Sequence, residues 1–299
     1  MPATAPIERW VPWVLRAVWV AVLVLGGQAI DAVVTTAVEP SGVPVAAVVR
    51  FGGAAVWLLG VAAMAIPSVV GLTATRAVVP VAVPFSVVVW AAGAPAVDGA
   101  LFVAVAALAT VVASSGELGR AFVQASAYGD EDRHLLRPPA AYLLAVLVSW
   151  AIVAACGISA GALLAHRQWI VGGILGVAAV AAAVWSWPRW HRLSRRWFVV
   201  VPVGVVVHDQ LVLGETLMLR RRELAALHLA PATTDAADLT GPAGGHAIEI
   251  VTSEPVDVIF AATPREPTGR TIHMTACLVG PTRPGRALAS AGLRNLPVG

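Results

Sequence analysis

The sequence predicts an α-helical transmembrane bundle of about six helices, followed by a small β-rich barrel domain that ends in a helix. Three observations support this prediction. The chain is 58% hydrophobic and only 12% charged, about half the charged fraction of a soluble protein. Several apolar stretches reach the roughly 20 residues that a bilayer about 30 Å thick requires of a helix. After residue 196 the pattern changes to short, valine-rich strands.

The predicted domains are therefore a transmembrane domain, residues 1–196, and a cytoplasmic β-rich domain, residues 197–299. Each predicted span is a stretch of apolar residues bounded by charges, glycine or proline. The six spans cover residues 11–31, 51–71, 77–94, 99–115, 140–162 and 168–187.

The third and fourth spans come from one apolar run, residues 77–115. At about 1.5 Å rise per residue this run is too long for a single straight crossing. We divide it at residues 93–99, where glycine, proline and Asp98 predict a turn. A shallow re-entrant hairpin explains the same run equally well. Pro80 and Pro84 predict a bend or a locally unwound segment in its first half.

Arginine alone predicts the orientation, because the sequence contains no lysine. With six spans and a cytoplasmic N-terminus, only Arg50 and Arg167 of the membrane half fall on the outer side. The arginines on the inner side are Arg9, Arg16, Arg76, Arg120, Arg133, Arg137, Arg189, Arg192, Arg195 and Arg196. Loops with excess arginine stay in the cytoplasm. We therefore predict a multi-pass protein of the plasma (inner) membrane with both termini in the cytoplasm.

Charged residues at membrane depth are costly and often mark a functional site. Asp31 and Arg50 lie at the predicted outer ends of the first and second helices. Their opposite charges predict an intramembrane polar pair that lines a small site. The alternative interpretation is a contact at the membrane interface, where both side chains reach water.

The predicted cytoplasmic loop 116–139 contains the densest charge cluster of the membrane half. Asp130, Glu131 and Asp132 offer the carboxylate oxygens that Mg²⁺ or Mn²⁺ prefers, and Arg133 follows them. No further acidic residues follow at a set spacing. The alternative is a solvated loop whose acids pair with nearby arginines. We take these four residues as interaction candidates and expect no metal and no other cofactor.

Two stretches resemble a family. The stretch from Phe122 to Pro139 has Ala-Tyr-Gly-Asp-Glu-Asp-Arg at its centre and Leu-Arg-Pro-Pro at its end. It is similar to a loop in uncharacterised actinobacterial multi-pass inner-membrane proteins, and the segment that starts Arg196-Trp-Phe-Val resembles their C-terminal segment. The two stretches cover about a tenth of the chain. The resemblance implies a membrane protein of unknown activity and assigns no catalytic residue.

The C-terminal half predicts a series of short strands. Residues 197–207 are too short for a span, and they predict two strands separated by a turn or bulge at Pro202 and Gly204. Loops are predicted at 231–246 and 262–270, and in the last strand alternation places Met274 and Ala276 on one face. The remaining strands are predicted at 210–213, 216–220, 223–229, 247–252, 256–261 and 271–279, with a helix starting near Pro284. This order of strands and a final helix resembles a pleckstrin-homology-like (PH-like) barrel, a fold that usually binds a partner.

Three consecutive arginines, Arg220, Arg221 and Arg222, are the other interaction candidates. They predict attraction to anionic lipid headgroups, with a solvated strand end as the alternative. A net charge of +3 is too small to predict nucleic-acid binding. No nucleophile elbow, phosphate loop or metal-type histidine spacing is present in the sequence.

These observations favour a non-enzymatic scaffold or regulator whose cytoplasmic domain docks a protein partner or anionic lipid. The first alternative is a transporter or channel for a small solute or lipid, with Asp31 and Arg50 in its path. The second is a membrane enzyme of envelope lipid metabolism, with Asp130 and Asp132 as metal ligands.

Overall fold

A computed structural model of the chain describes residues 6–35, 43–262 and 269–299. These residues form two compact units. The helical unit runs to Ala121 and also includes Ala145–Trp190. The sheet unit contains Phe122–Leu144 and His191–Gly299. A segment that the sequence places in a loop between two helices therefore belongs to the sheet unit.

Six helices of the described chain are long and apolar enough to cross a membrane. These spans are built from α-helices that the structure divides more finely. The α-helices before the last sheet strands are α1 (Pro6–Val33), α2 (Val43–Ala65), α3 (Val69–Val78), α4 (Ala82–Ala91), α5 (Ala96–Ser114), α6 (Gly116–Gln124), α7 (Ala140–Ala165) and α8 (Trp169–Ser194). α3 and α4 form one span because only a 3₁₀ turn, Val79–Val81, separates them, and the short α6 is not a span. This is the architecture of a multi-pass membrane protein, as the composition predicts.

Serine and proline set the boundaries in the middle of the helical unit. α2 ends at Ala65, and the Oγ of Ser68 accepts a hydrogen bond of 3.0 Å from the Gly71 N–H to cap α3. The predicted span 51–71 therefore runs past the end of α2 at Ala65, and the predicted span 77–94 starts eight residues after the start of α3 at Val69, because hydropathy does not change at this cap. The first predicted span also starts eight residues after the start of α2. Pro80 lies in the 3₁₀ turn, where the sequence predicts local unwinding.

The apolar run 77–115 divides where the sequence predicts. α4 ends at Ala91, α5 begins at Ala96, and Gly93 turns the chain between them with φ at 111°. Glycine is suited to this positive φ because it has no Cβ. The two arms belong to the spans Val69–Ala91 and Ala96–Ser114, each of which is long and apolar enough to cross a membrane.

α1 and α2 pack through a reciprocal tryptophan contact. The Trp19 indole N–H donates to the Trp57 carbonyl at 3.0 Å, and the Trp57 indole N–H donates to the Trp19 carbonyl at 2.9 Å. Gly60 makes this approach possible, since a Cβ there would lie 2.4 Å from the Trp19 ring. Small residues allow helices to approach closely in this way.

The sheet unit contains two four-stranded sheets and a final helix. Its elements are β1 (Asp132–Leu135), β2 (Arg196–Val201), β3 (Gly204–Asp209), β4 (Leu217–Arg220), β5 (Leu224–Leu229), β6 (Ala237–Asp238), β7 (Ile248–Phe260), β8 (Arg270–Val279) and α9 (Pro284–Leu293). The first sheet has the order β1-β2-β3-β4, and the second has the order β5-β7-β8-β6. Within the described residues these strands do not close into a barrel.

The two sheets and α9 share one hydrophobic core. Fully buried members include Val200 of β2, Leu219 of β4, Ile250 of β7 and Ala287 of α9. Cys277 of β8 also lies in this core, where burial raises the pKa of its thiol to about 12. The thiol therefore stays protonated at neutral pH and behaves as a small apolar side chain.

Five predictions for the sheet unit and the segment before it are wrong in detail. Residues 210–212 form a turn, and Leu213 makes only an isolated bridge to Phe260. The predicted strands 247–252 and 256–261 are one strand, β7, with an irregular register between Val251 and Val256. In β8 the buried residues are Met274, Cys277 and Val279, so the predicted alternation changes phase after Met274. The predicted loop 116–139 contains α6 and β1, and the predicted loop 231–246 contains β6. Most of loop 262–270 lies outside the described residues.

Candidate functional site

The acidic segment 130–133 leads into the first sheet. β1 pairs antiparallel with β2, with Asp132 opposite Val200 and Leu135 opposite Trp197. Asp132 and Arg133 are only 3% and 8% exposed. The interpretation of this segment as a solvated loop is therefore wrong for these two residues. Pairing with β2 explains the difference, since a short charged stretch has no strand pattern of its own.

The three carboxylates of this segment each have a separate partner. Asp130 pairs with Arg294 at 2.7 Å and Glu131 with Arg133 at 2.7 Å, while Asp132 Oδ2 lies 3.3 Å from His134 Nε2. Among the described residues, no group of three or more His, Cys, Asp or Glu side chains is placed to hold a metal ion. The geometry thus gives these acids structural partners within the sheet unit.

Arg133 is enclosed by aromatic rings. Its guanidinium lies 5.1 Å from the centre of the Trp197 ring and 5.7 Å from that of Tyr128. The Glu131 carboxylate completes the enclosure. The cation–π attraction between Arg133 of β1 and Trp197 of β2 helps to hold the two strands together.

The β2–β3 hairpin contains a buried ion pair that sequence reasoning missed. A two-residue turn places Arg196 opposite Asp209, and the guanidinium bonds both carboxylate oxygens, at 2.8 and 2.6 Å. Arg196 also donates to the backbone carbonyls of Arg137, at 2.6 Å, and Thr240, at 3.1 Å. The signal was present in the sequence: strands of equal length joined by a two-residue turn place their outer ends opposite each other.

The three consecutive arginines lie together on the surface of the sheet unit. We use the name basic tip for Val203, Met218, Arg220, Arg221 and Arg222. Val203 and Met218 are 59% and 49% exposed, and all three arginines are exposed. The Arg221 N–H donates to the Val203 carbonyl at 2.7 Å, so the hairpin turn and the arginines are held side by side.

Two features fix the backbone of the basic tip. Gly204 lies opposite Arg220 in the register of β3 and β4. A Cβ on Gly204 would lie 2.1 Å from the Leu219 carbonyl oxygen, so only glycine permits this approach. Glu223 accepts the Arg220 N–H at 2.9 Å and lies 3.8 Å from Arg222 Nε, which offsets part of the positive charge.

His208 is the titratable group next to the buried pair. Its ring stacks on Trp197 with the ring centres 4.9 Å apart, and its Nδ1 lies 3.0 Å from Thr216 Oγ1. Burial lowers the pKa of His208, and the positive charge of Arg195 lowers it further, while Asp209 opposes the shift. The ring is therefore held in its neutral form more strongly than a free histidine.

In the helical unit the structure brings Asp31 and Arg50 together. Arg50 Nη2 donates to Asp31 Oδ1 at 2.6 Å, and both side chains remain more than half exposed. The sequence predicts this proximity, because each residue is an isolated charge near the end of an apolar helix.

Comparison with protein-family models, with curated proteins and with solved structures finds no match to this chain.

Proposed function

We propose that this chain is a non-enzymatic scaffold or regulator of the plasma membrane whose cytoplasmic sheet unit docks on anionic lipid headgroups. The observation that carries the proposal is the basic tip, which exposes three arginines together with two apolar side chains. Anionic headgroups attract arginine by about 1 kcal/mol per residue near the surface. Val203 and Met218 supply apolar area that enters the boundary between headgroups and acyl chains.

The chain connections support a lipid partner. β2 begins at Arg196, and the span α8 ends at Ser194, so the unit is tethered to a membrane helix by one residue. A short tether keeps the local concentration of headgroups around the sheet unit high. A headgroup site of low affinity is therefore still occupied. The cytoplasmic side is supported by the arginine asymmetry between the predicted loops, and the inner leaflet is the anionic one.

A PH-like fold for the sheet unit is part of the same proposal. Its support is the element order, in which two sheets precede the helix α9 and every strand pair except β6–β8 is antiparallel. A shared order of secondary-structure elements does not by itself establish a shared function. The docking proposal therefore depends on the surface chemistry of the basic tip. The resemblance to actinobacterial membrane proteins likewise stays a prediction.

The test compares the full chain in nanodiscs of phosphatidylcholine alone and in nanodiscs with 30% phosphatidylglycerol added. Hydrogen exchange of backbone amides is measured for peptides that cover residues 202–222. We expect slower exchange in the anionic nanodiscs and loss of the difference in 0.5 M NaCl, because salt screens exposed charges. Changing Arg220, Arg221 and Arg222 together to glutamine removes about 3 kcal/mol of attraction, roughly a hundredfold in docking equilibrium.

A matched variant removes the same number of charges from elsewhere in the unit, at Arg270, Arg283 and Arg286. We expect it to retain the slower exchange at the basic tip. Equal exchange of the wild-type chain in both nanodiscs would contradict lipid docking and favour a protein partner. Substitution is preferable to deletion of 197–299, since deletion would also remove the strand that pairs with β1.

A further inference from the structure

A cavity of about 260 Å³ lies in the helical unit among α1, α2, α4 and α5. Its inner wall is buried, with Trp19 and Phe102 only 1% and 3% exposed. Its outer wall includes Leu23, which is 43% exposed, so the cavity opens on the surface of the unit. An apolar cavity of about 150 Å³ accepts benzene. This larger cavity therefore has room for a segment of one alkyl chain.

Glycines shape the walls of the cavity in two different ways. Gly26 and Gly53 are covered: a Cβ at Gly26 would lie 2.7 Å from the Phe102 ring, and one at Gly53 would lie 3.1 Å from Ile30. Gly27 also lines the cavity, but a Cβ there would have no atom within 4 Å. The missing side chain of Gly27 therefore leaves open space that a larger residue would fill without a clash.

Among the described residues, Asp31 and Arg50 are the charged residues that line the cavity. Asp31 lies two residues before the end of the span Trp10–Val33, and Arg50 lies four residues after the start of Ala46–Ala65. At about 1.5 Å per residue, both lie within about 6 Å of the end of a span. In a membrane crossed by these spans, side chains so close to the span ends reach the lipid headgroups, and the apolar part of the cavity lies at the level of the acyl chains.

The charged pair has bonding capacity left for a ligand. Within the described residues, Arg50 uses one of its five N–H donors and Asp31 uses one of its two carboxylate oxygens in side-chain hydrogen bonds. The pair is neutral overall. A purely anionic or purely cationic ligand would face one attractive and one repulsive charge, whereas a ligand with both charges satisfies both residues.

We propose that this cavity binds a membrane phospholipid whose headgroup carries a phosphate and a primary ammonium group, as in phosphatidylethanolamine. The phosphate accepts hydrogen bonds from the Arg50 guanidinium, the ammonium group donates to the Asp31 carboxylate, and one acyl chain enters between Trp19 and Phe102. The site goes beyond lipid docking by the basic tip, because it is in the helical unit and selects a zwitterionic lipid.

The test uses a phosphatidylethanolamine with a photoactivatable diazirine in one acyl chain. The full chain is placed in phosphatidylglycerol nanodiscs that contain this probe, and the labelled peptides of α1, α2 and α5 are quantified by mass spectrometry. We expect Gly27→Leu to reduce this labelling at least tenfold, because the leucine fills the cavity. Gly52→Leu is the matched control, since its Cβ also has no atom within 4 Å and Gly52 does not line the cavity. Equal labelling of the Gly27→Leu and wild-type chains would overturn the proposal.

The headgroup is tested with competitors and variants. We expect Asp31→Asn and Arg50→Gln each to lower labelling about fivefold, and unlabelled phosphatidylethanolamine to displace the probe. Equal labelling by a phosphatidylglycerol carrying the same diazirine chain would overturn the zwitterion assignment. Displacement by the chain-free headgroup glycerophosphoethanolamine at the same concentration would identify a soluble ligand and overturn the lipid assignment. The glutamine variant of the basic tip should label like wild type, so this result is independent of the docking test.

Discussion

Two aspartate–arginine pairs, one in each unit, have the same contact distance and opposite surroundings. Arg196 Nη2 lies 2.6 Å from Asp209 Oδ2, and Arg50 Nη2 lies 2.6 Å from Asp31 Oδ1. The side chains of the first pair are 1% and 0% exposed, and those of the second are 51% and 66% exposed. Contact distance therefore says little about the role of an ion pair. Burial and the use of the remaining donors separate a structural pair from one that is open to a ligand.

The buried pair uses most of its bonding capacity on protein partners. Arg196 makes four hydrogen bonds, two to Asp209 and one each to the carbonyls of Arg137 and Thr240. Asp209 Oδ1 also accepts the Leu211 N–H at 3.0 Å, which holds the turn after β3. This network joins three separate stretches of the chain, so its removal should affect the whole sheet unit.

The largest expected effect comes from removing one member of the buried pair. Asp209→Ala leaves the Arg196 charge buried without a counter-charge, and we expect a loss of about 3–5 kcal/mol in the free energy of unfolding of the sheet unit. Asp31→Ala should cost less than about 1 kcal/mol in the helical unit, because its pair is exposed. Hydrogen exchange of the full chain in detergent, read at peptides of β2–β3 and of α1–α2, measures both changes.

A double variant distinguishes an uncompensated charge from lost packing. Arg196→Met combined with Asp209→Leu removes both charges and keeps apolar volume, so it should recover much of the stability that Asp209→Ala loses. Equal losses for Asp209→Ala and Asp31→Ala would remove the distinction between the two pairs.

The second prediction tests whether the buried pair depends on the hairpin register. Gly204→Ala places a Cβ 2.1 Å from the Leu219 carbonyl oxygen, at a φ of 153° that alanine rarely adopts. We expect about 2 kcal/mol of destabilisation from this strain, with faster hydrogen exchange in β2, β3 and β4. Gly285→Ala in α9 is the control, because a Cβ there meets no atom within 4 Å and alanine favours the helix. Unchanged exchange in Gly204→Ala would show that β4 does not approach the turn this closely.

The two pairs also differ in how visible they are in the sequence. Asp31 and Arg50 are isolated charges in apolar helices, so a pairing hypothesis follows from their position. Arg196 follows Arg189, Arg192 and Arg195 at the end of a span, where it is indistinguishable from a solvated basic cluster. The hairpin pattern indicates its pairing with Asp209, but its burial depends on segments far away in the sequence, at Arg137 and Thr240, which no local pattern encodes.

The same reasoning explains which parts of the fold were predictable. The six apolar spans depend on local hydropathy, and the turn near Gly93 depends on local turn chemistry, so both were predicted. β1 has the sequence Asp-Arg-His-Leu and becomes a strand only because β2 pairs with it. The phase change in β8 occurs where its register with β7 is irregular, between Val251 and Val256. Tertiary pairing decides both of these features.

The smallest expected effect concerns His208, which adjoins the buried pair through Asp209. The lowered pKa of His208, caused first by burial and then by Arg195, means that the folded state resists protonation more than the unfolded state. This contribution to stability is fully present above the unfolded pKa of about 6.5 and is lost as the pH falls through that value toward the folded pKa. We therefore expect the sheet unit to lose stability between pH 7.5 and pH 5.

His208→Gln separates this contribution from those of the other titrating groups. The glutamine amide can keep a hydrogen bond to Thr216 Oγ1 and takes up no proton, so the variant should lose less stability over the same pH range than the wild-type chain does. Hydrogen exchange of β2–β3 peptides, corrected for the intrinsic pH dependence of exchange, provides the measurement. The effect should be well below that of Asp209→Ala, because the ring is half-buried and its acidic and basic neighbours partly cancel. The same pH dependence in the variant and the wild type would mean that folding does not lower the pKa of His208.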